Sequence, residues 1–301
     1  MQKIFVVAVI LIVAGYSAYA CNCGGGGSFS GGGSLGMMSQ YNQNFVGLAW
    51  EHNGVDSRSS IYGKYNSSFQ FNTVHLMGKY YPVRRMFISA DVPYHFKMND
   101  EKGTIQNVNG IGDLTLSAGY MVLKPVDSLC KVWTQYIVLS GGVKMPTGKY
   151  KVADEGISDG PYLQPGTGSW DVMFNVGYTF KYKRFGVFSE LSYAVNTTNK
   201  QDYKFGNRLS SSASGFYRNR VGGFTFLPSA GMLFENLQKD RLIEEPVQMS
   251  GGNILFATFG LDVYYKWVGL GFYFLQPTYQ QISDDYAKSQ SRWLLNALIS
   301  F

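Results

Sequence analysis

From Gly168 to Phe180 the chain reads GSWDVMFNVGYTF, and the alternation in that stretch constrains the fold more than any other feature. Successive side chains of a β-strand point to opposite faces. Trp170, Val172, Phe174, Val176, Tyr178 and Phe180 therefore share one face, and Asp171, Met173, Asn175, Gly177 and Thr179 share the other. In a soluble sheet the first face would pack on a core and the second would meet water. In a bilayer the assignment inverts, with the apolar face toward lipid and the polar face lining a lumen. The rest of the sequence decides between the two.

The first twenty residues combine Lys3, an apolar run from Ile4 to Ala14, and Ala18-Tyr19-Ala20. This pattern predicts a secretory signal peptide over 1–20, because the run falls short of the ~20 residues that a spanning helix needs. Cys21 directly after it raises the alternative of a lipoprotein signal, but Ala18 stands where such signals favour Leu. No later apolar run is long enough to span a membrane as a helix, so a mature chain in a membrane must be a closed barrel of strands.

Composition agrees. Charged residues make up 15% of the 301, below the roughly 25% usual in soluble domains, while aromatic residues reach 16% and glycines number 36. A mean hydropathy of -0.09 is what alternating lipid-facing and lumen-facing residues average to. The formal charge of +6 falls by one when Lys3 leaves with the signal peptide. Its basic residues are scattered or in short turns, which argues against nucleic-acid binding.

Residues 21–43, rich in Gly and Ser, predict a periplasmic N-terminal strap with little to bury. Residues 44–301 predict an all-β fold, a closed antiparallel transmembrane barrel of about twelve strands. The strands are expected near 44–54, 68–80, 84–98, 111–123, 133–145, 168–180, 184–198, 203–217, 222–235, 252–265, 267–279 and 290–301. If the first runs outward, the connections alternate. YPVRR, KYKR, YRNRV and YKW are short, whereas 55–67, 99–110, 146–167, 236–251 and 280–289 are long. Short periplasmic turns and long extracellular loops characterise outer-membrane barrels. The stretch NTTNKQD is an exception, short yet on the outer side. Pro93, Pro228 and Pro277 fall inside expected strands, where they mark bulges or strand ends. The last strand puts Trp293, Leu295, Ala297, Ile299 and Phe301 on one face, like the C-terminal strands that barrel assembly machinery reads.

With lipid outside, parity points Asp91, His95, Lys97, Asp113, Lys144, Asp171, Glu190, Arg208 and Asp262 into the lumen. Both signs of charge are present, as an ion-pair network propping the barrel or as a constriction that selects a solute. His75 and Met77 share inward parity and His95 lies on the next strand, a set that a soft or borderline metal such as copper would suit. Cys21 and Cys23 begin the strap, and Cys130 lies in an expected periplasmic turn. A disulfide such as Cys23 to Cys130 is topologically open in an oxidising compartment, as is metal capture by the Cys-Asn-Cys pair with outside donors. Nucleophilic catalysis needs a base in contact with a nucleophile. Only His52, near the outer rim, remains for that role, no His-x-Ser pattern occurs, and no enzyme or cofactor is expected.

The stretches GIGDLTLSAGY (110–120), VKMPTGKY (143–150) and GTGSWDVMFNVGYTF (166–180) resemble the outer-membrane transporter barrels grouped with the MetA pathway of phenol degradation. Those barrels look like distant relatives of long-chain fatty-acid channels. The start also resembles members with a Cys- and Gly-rich N-terminus, although these often carry a further cysteine ahead of the pair. The resemblance assigns Gly110, Gly112, Asp113, Pro146, Gly148, Gly166, Gly168, Trp170 and Asp171 to shared motifs of architectural type, beneath a loop, 146–167, able to fold inward. The barrel reading predicts an outer-membrane protein of a Gram-negative bacterium, set in lipid and monomeric because closure leaves no free edge, whose expected role is passage of a small solute, hydrophobic or aromatic. The alternatives are a copper- or zinc-related barrel with periplasmic partners and a filled structural or adhesive barrel.

Overall fold

The computed structural model describes residues 43–58, 67–101, 103–123, 133–150 and 161–301. The expected signal peptide, the strap up to residue 42, Cys21, Cys23 and Cys130 lie outside the described residues. The wall consists of twelve antiparallel strands. They are β1 (Phe45–Ser57), β2 (Ser67–Val83), β3 (Met86–Glu101), β4 (Thr104–Ile111 and Leu114–Leu123), β5 (Trp133–Met145) and β6 (Asp171–Tyr182). The second half comprises β7 (Phe185–Val195), β8 (Arg208–Tyr217), β9 (Phe224–Leu237), β10 (Gly252–Tyr265), β11 (Val268–Ile282) and β12 (Arg292–Ser300, preceded by Ala287–Ser289). Each strand pairs with the next, and β12 returns to β1 in the register Phe45↔Ser300 to His52↔Trp293. The barrel is closed, and this closure leaves no free edge.

Exposure along β6 decides which face is the inside. Phe174 is 57% exposed whereas Asp171 is 1% exposed, so the apolar face is the outer one. The same holds for Met86, Ile88, Tyr94 and Phe96 on β3 and for Trp293, Leu295 and Ile299 on β12. In a soluble sheet this belt of exposed side chains would be untenable; against hydrocarbon it is the favourable arrangement. No helix among the described residues is long and apolar enough to cross a membrane, which fits a wall made of strands.

The three prolines sit where the ladder is interrupted. Pro93 pairs with His75 on β2 but faces a break on its other side, where β4 divides at Gly112 and Asp113. Pro277 follows a register shift between Leu255 and Phe256. Pro228 pairs with Leu261, while its other side falls between the Phe216↔Ser229 and Asn219↔Phe226 pairs. A missing N–H is tolerated at such positions.

Three expectations are corrected. Residues 99–110 are not a long loop, since β3 continues to Glu101 and pairs with Thr104–Ile111 in a hairpin rising past the wall. Polar residues such as Gln106 and Asn107 hid it, because a hairpin above the membrane need not present an apolar face. The strand expected at 203–217 starts at Arg208, and Tyr203–Lys204 instead joins a small outer sheet with Arg241–Leu242 and Glu245–Pro246. The connection after β7 is therefore longer than NTTNKQD alone, and the exception to loop parity disappears. The turn after β8 is Gly222-Gly223, both at positive φ, rather than YRNRV.

Candidate functional site: a charged chamber under an inserted loop

The inward faces of the strands enclose a chamber of about 230 Å³. Three groups of opposite charge line it. His75 Nδ1 lies 3.0 Å from Asp91 Oδ1, and His75 Nε2 lies 3.8 Å from Glu51 Oε2. Lys144 stands between Asp171 and Asp113, the latter at 3.6 Å. Arg292 pairs with Glu235 at 2.8 Å, Arg208 approaches the same carboxylate at 4.0 Å, and Arg292 lies 4.3 Å from the centre of the Phe256 ring. Away from bulk water such pairs persist because both charges are matched together.

Eight of the nine residues expected to face the lumen line this chamber, and Asp262 does not. Asp91, His95, Lys97, Asp113, Lys144, Asp171, Glu190 and Arg208 all line this chamber. Asp262 also points inward, but it accepts a hydrogen bond from Tyr273 Oη at 2.6 Å and borders a separate small void beside Phe188, Phe216 and Leu227. Glu51, Glu235 and Arg292 were missed, although inward parity along β1, β9 and β12 marks each of them.

The cap of the chamber is the segment Pro161–Thr167. Lys97 Nζ donates to the carbonyls of Tyr162 at 2.9 Å and of Gln164 at 2.6 Å. Leu163, 1% exposed, enters the apolar cluster formed by Val55, Phe69, Phe71, Ile254, Phe256 and Ile282 near the outer end. The Tyr162 and Tyr203 hydroxyls donate to Asp240, which also accepts the Gly206 amide at 2.6 Å. Burial pushes the Asp240 carboxyl above its ordinary range, while these hydrogen bonds pull the other way. The Tyr203 phenol is pushed up in turn by burial and then by the Asp240 charge.

The shared-motif residues anchor this segment to the wall. Asp113 Oδ1 accepts the Gly148 amide at 3.0 Å, and Oδ2 accepts the Thr167 amide at 2.8 Å and its hydroxyl at 2.6 Å. Gly148 and Gly166 lie backbone to backbone, so a Cβ on either would collide with the other. Gly168 has φ +71, and Gly110 sits against the Pro165 ring. A Cβ on Gly112 would strike the His95 ring. Trp170 is outward beside inward Asp171, and the Met145–Pro146 turn closes on Thr147, whose hydroxyl donates to Gly112 O at 3.0 Å.

The expected metal set does not converge. His75 is engaged by Asp91 and Glu51, His95 Nδ1 lies 2.9 Å from Thr73 Oγ1, and Met77 packs in an apolar cluster. No group of three or more His, Cys, Asp or Glu among the described residues could hold a metal ion. His52 lies outward, stacked on Trp50 and 2.9 Å from Asn72 Oδ1.

Residues 25–267 match the model of the family described as "Putative MetA-pathway of phenol degradation". The fold resembles an outer-membrane channel from Pseudomonas putida F1 at TM-score 0.64 and 13% identity, covering 86% of this chain and 96% of that one. Fainter likenesses include the β domain of the Bordetella autotransporter BrkA, at TM-score 0.49 and 10% identity over 86% of this chain and 99% of that one. Another is the CymD monoaromatic hydrocarbon channel, at TM-score 0.45 and 11% identity over 94% and 97% of the two chains. No curated protein sequence matches the chain.

Proposed function

Since the chain belongs to this phenol-degradation-pathway family, we propose that its outer-membrane barrel is a monomeric channel passing a small aromatic solute passively, without covalent chemistry. The observation that carries this reading is the chamber itself. A barrel whose interior served only as packing would be filled, whereas this one keeps about 230 Å³ between charged walls and an inserted cap. The size suits a single aromatic ring with a polar group, with apolar contact from Pro93, Leu233 and Leu275 and polar contact from the paired charges. Asp113 and Asp171 set the ion preference in this reading, because they bracket Lys144 next to the cap.

Purified protein in planar bilayers should show discrete conductance steps. Asp171→Asn or Asp113→Asn should move the reversal potential toward anion permeation, since Lys144 then keeps one countercharge. Steps whose ion preference ignores both substitutions would remove these residues from the selectivity role. A second reading, a sealed structural barrel, is favoured by Leu163 in the outer apolar cluster, and a silent bilayer would select it.

A further inference from the structure

The chamber's carboxylates are unequally provided for. Glu51 and Asp91 flank His75, Asp113 and Asp171 flank Lys144, and Glu235 takes Arg292 and Arg208. Glu190 of β7 faces the same space with no hydrogen bond or ion pair among the described residues, and the opposite charge acting on it from a distance is Lys79. Its surroundings form a recess of small polar side chains. The register sets Ser212 of β8 directly across from Glu190, and sets Ser192 between Asn175 of β6 and Ser210 of β8. Asn175 is 4% exposed, and its Nδ2 has no acceptor. The β2–β3 wall differs, because there Thr73 pairs with His95 and Asp91 pairs with His75.

An unpaired carboxylate beside a low-dielectric wall is costly, and a cation that reaches it removes the cost. A primary ammonium offers three donors, enough for a carboxylate and neighbouring hydroxyl oxygens at once. Ser192, Ser210 and Ser212 supply such oxygens, and Met173 and Leu233 line the same chamber as apolar surface for the rest of a ligand. We propose that Glu190, with Ser192, Ser210 and Ser212, forms a binding subsite for the ammonium group of a small aromatic amine. The subsite rests on the channel reading for its biological use, but its occupancy does not.

Isothermal titration of the detergent-purified barrel with benzylammonium, benzyl alcohol and benzoate tests it. Benzylammonium should bind saturably, and Glu190→Gln should weaken it about tenfold or more, as expected for a lost charge-assisted contact. Benzyl alcohol and benzoate should bind more weakly than benzylammonium to the unaltered protein. Heat-modifiable migration in gels reports whether each variant is a folded barrel. Should Glu190→Gln fail that check, the Ser210→Ala/Ser212→Ala pair carries the test and should lower benzylammonium affinity while leaving benzyl alcohol unaffected. Equal binding of the amine and the alcohol, an unchanged affinity in the variants, or no saturable heat would overturn the subsite. Amine binding in a barrel that never conducts would instead overturn the channel reading alone.

Discussion

Lys97 Nζ donates to the main-chain oxygen of Gln164 at 2.6 Å, tying an ammonium on the β3 wall to the backbone of the inserted cap. A second bond to Tyr162 O at 2.9 Å makes the grip two-pronged. Lys97→Met should keep the volume and remove both donors. Two carbonyls then lose charge-assisted partners, a loss of about 1–3 kcal/mol per buried group. The expected result is a cap that leaves its seat more often, seen as larger or more frequent conductance steps. An unchanged single-channel record would show that Leu163 holds the cap without help.

The Arg292–Glu235 pair is buried on both sides, with the two side chains 6% and 5% exposed. Glu235→Leu strands a guanidinium inside the barrel and should cost about 3–5 kcal/mol. Asp284→Asn breaks an outer ion pair to Lys239 of similar length, 2.7 Å, but in open solvent, and should cost under about 1 kcal/mol. Urea unfolding in lipid vesicles compares the two. Equal losses would mean that the chamber is as well hydrated as the outer loops.

Leu295 of β12 points at lipid between Trp50 of β1 and Phe272 of β11. Leu295→Arg should destabilise the barrel by about 2–4 kcal/mol if it lies near the midplane. Ser212→Arg, on the chamber side and directly across from the unpaired Glu190, meets a carboxylate and should unfold at nearly the parental urea concentration. The reverse ranking would exchange inside and outside.

The wall was legible because hydrocarbon enforces a period of two. On β6 and β12 every outward position is bulky or apolar, and the parity that reveals Trp170 also reveals Asp171. That rule extends to Glu51, Glu235 and Arg292, which lie on the inward faces of strands already recognised. The cap was not legible beyond the general capacity of loop 146–167 to fold inward. Tyr162, Leu163 and Gln164 follow no period, and what seats them is a lysine 65 or more residues away in sequence. The β3–β4 hairpin escaped for a related reason. Above the membrane neither face must be apolar, so Thr104–Ile111 carries the signal of a loop while pairing as a strand.

The Asp240 knot gives the cap a pH dependence whose sign follows from burial. Asp240 lies in the outer connection after β9, 3% exposed, and burial holds its carboxyl above the ordinary value of 3.8. A group raised in the folded state stabilises it fully below the unfolded value, and that contribution is lost as pH rises through the folded value. Tyr203 is raised too, from 10.0, so its own contribution persists through neutral pH and fades only in strong alkali. As pH rises above the ordinary carboxylate range, and well below the pH at which an unperturbed Tyr titrates, the Tyr162–Asp240–Tyr203 knot should therefore loosen as Asp240 ionises. Cap opening, read from bilayer current at fixed voltage, should increase with pH over that interval. Asp240→Asn keeps an acceptor for the tyrosine hydroxyls but cannot ionise, and should flatten the knot's part of the profile. A variant with the parental pH profile would assign the dependence to the chamber's own charges instead of to the knot above it.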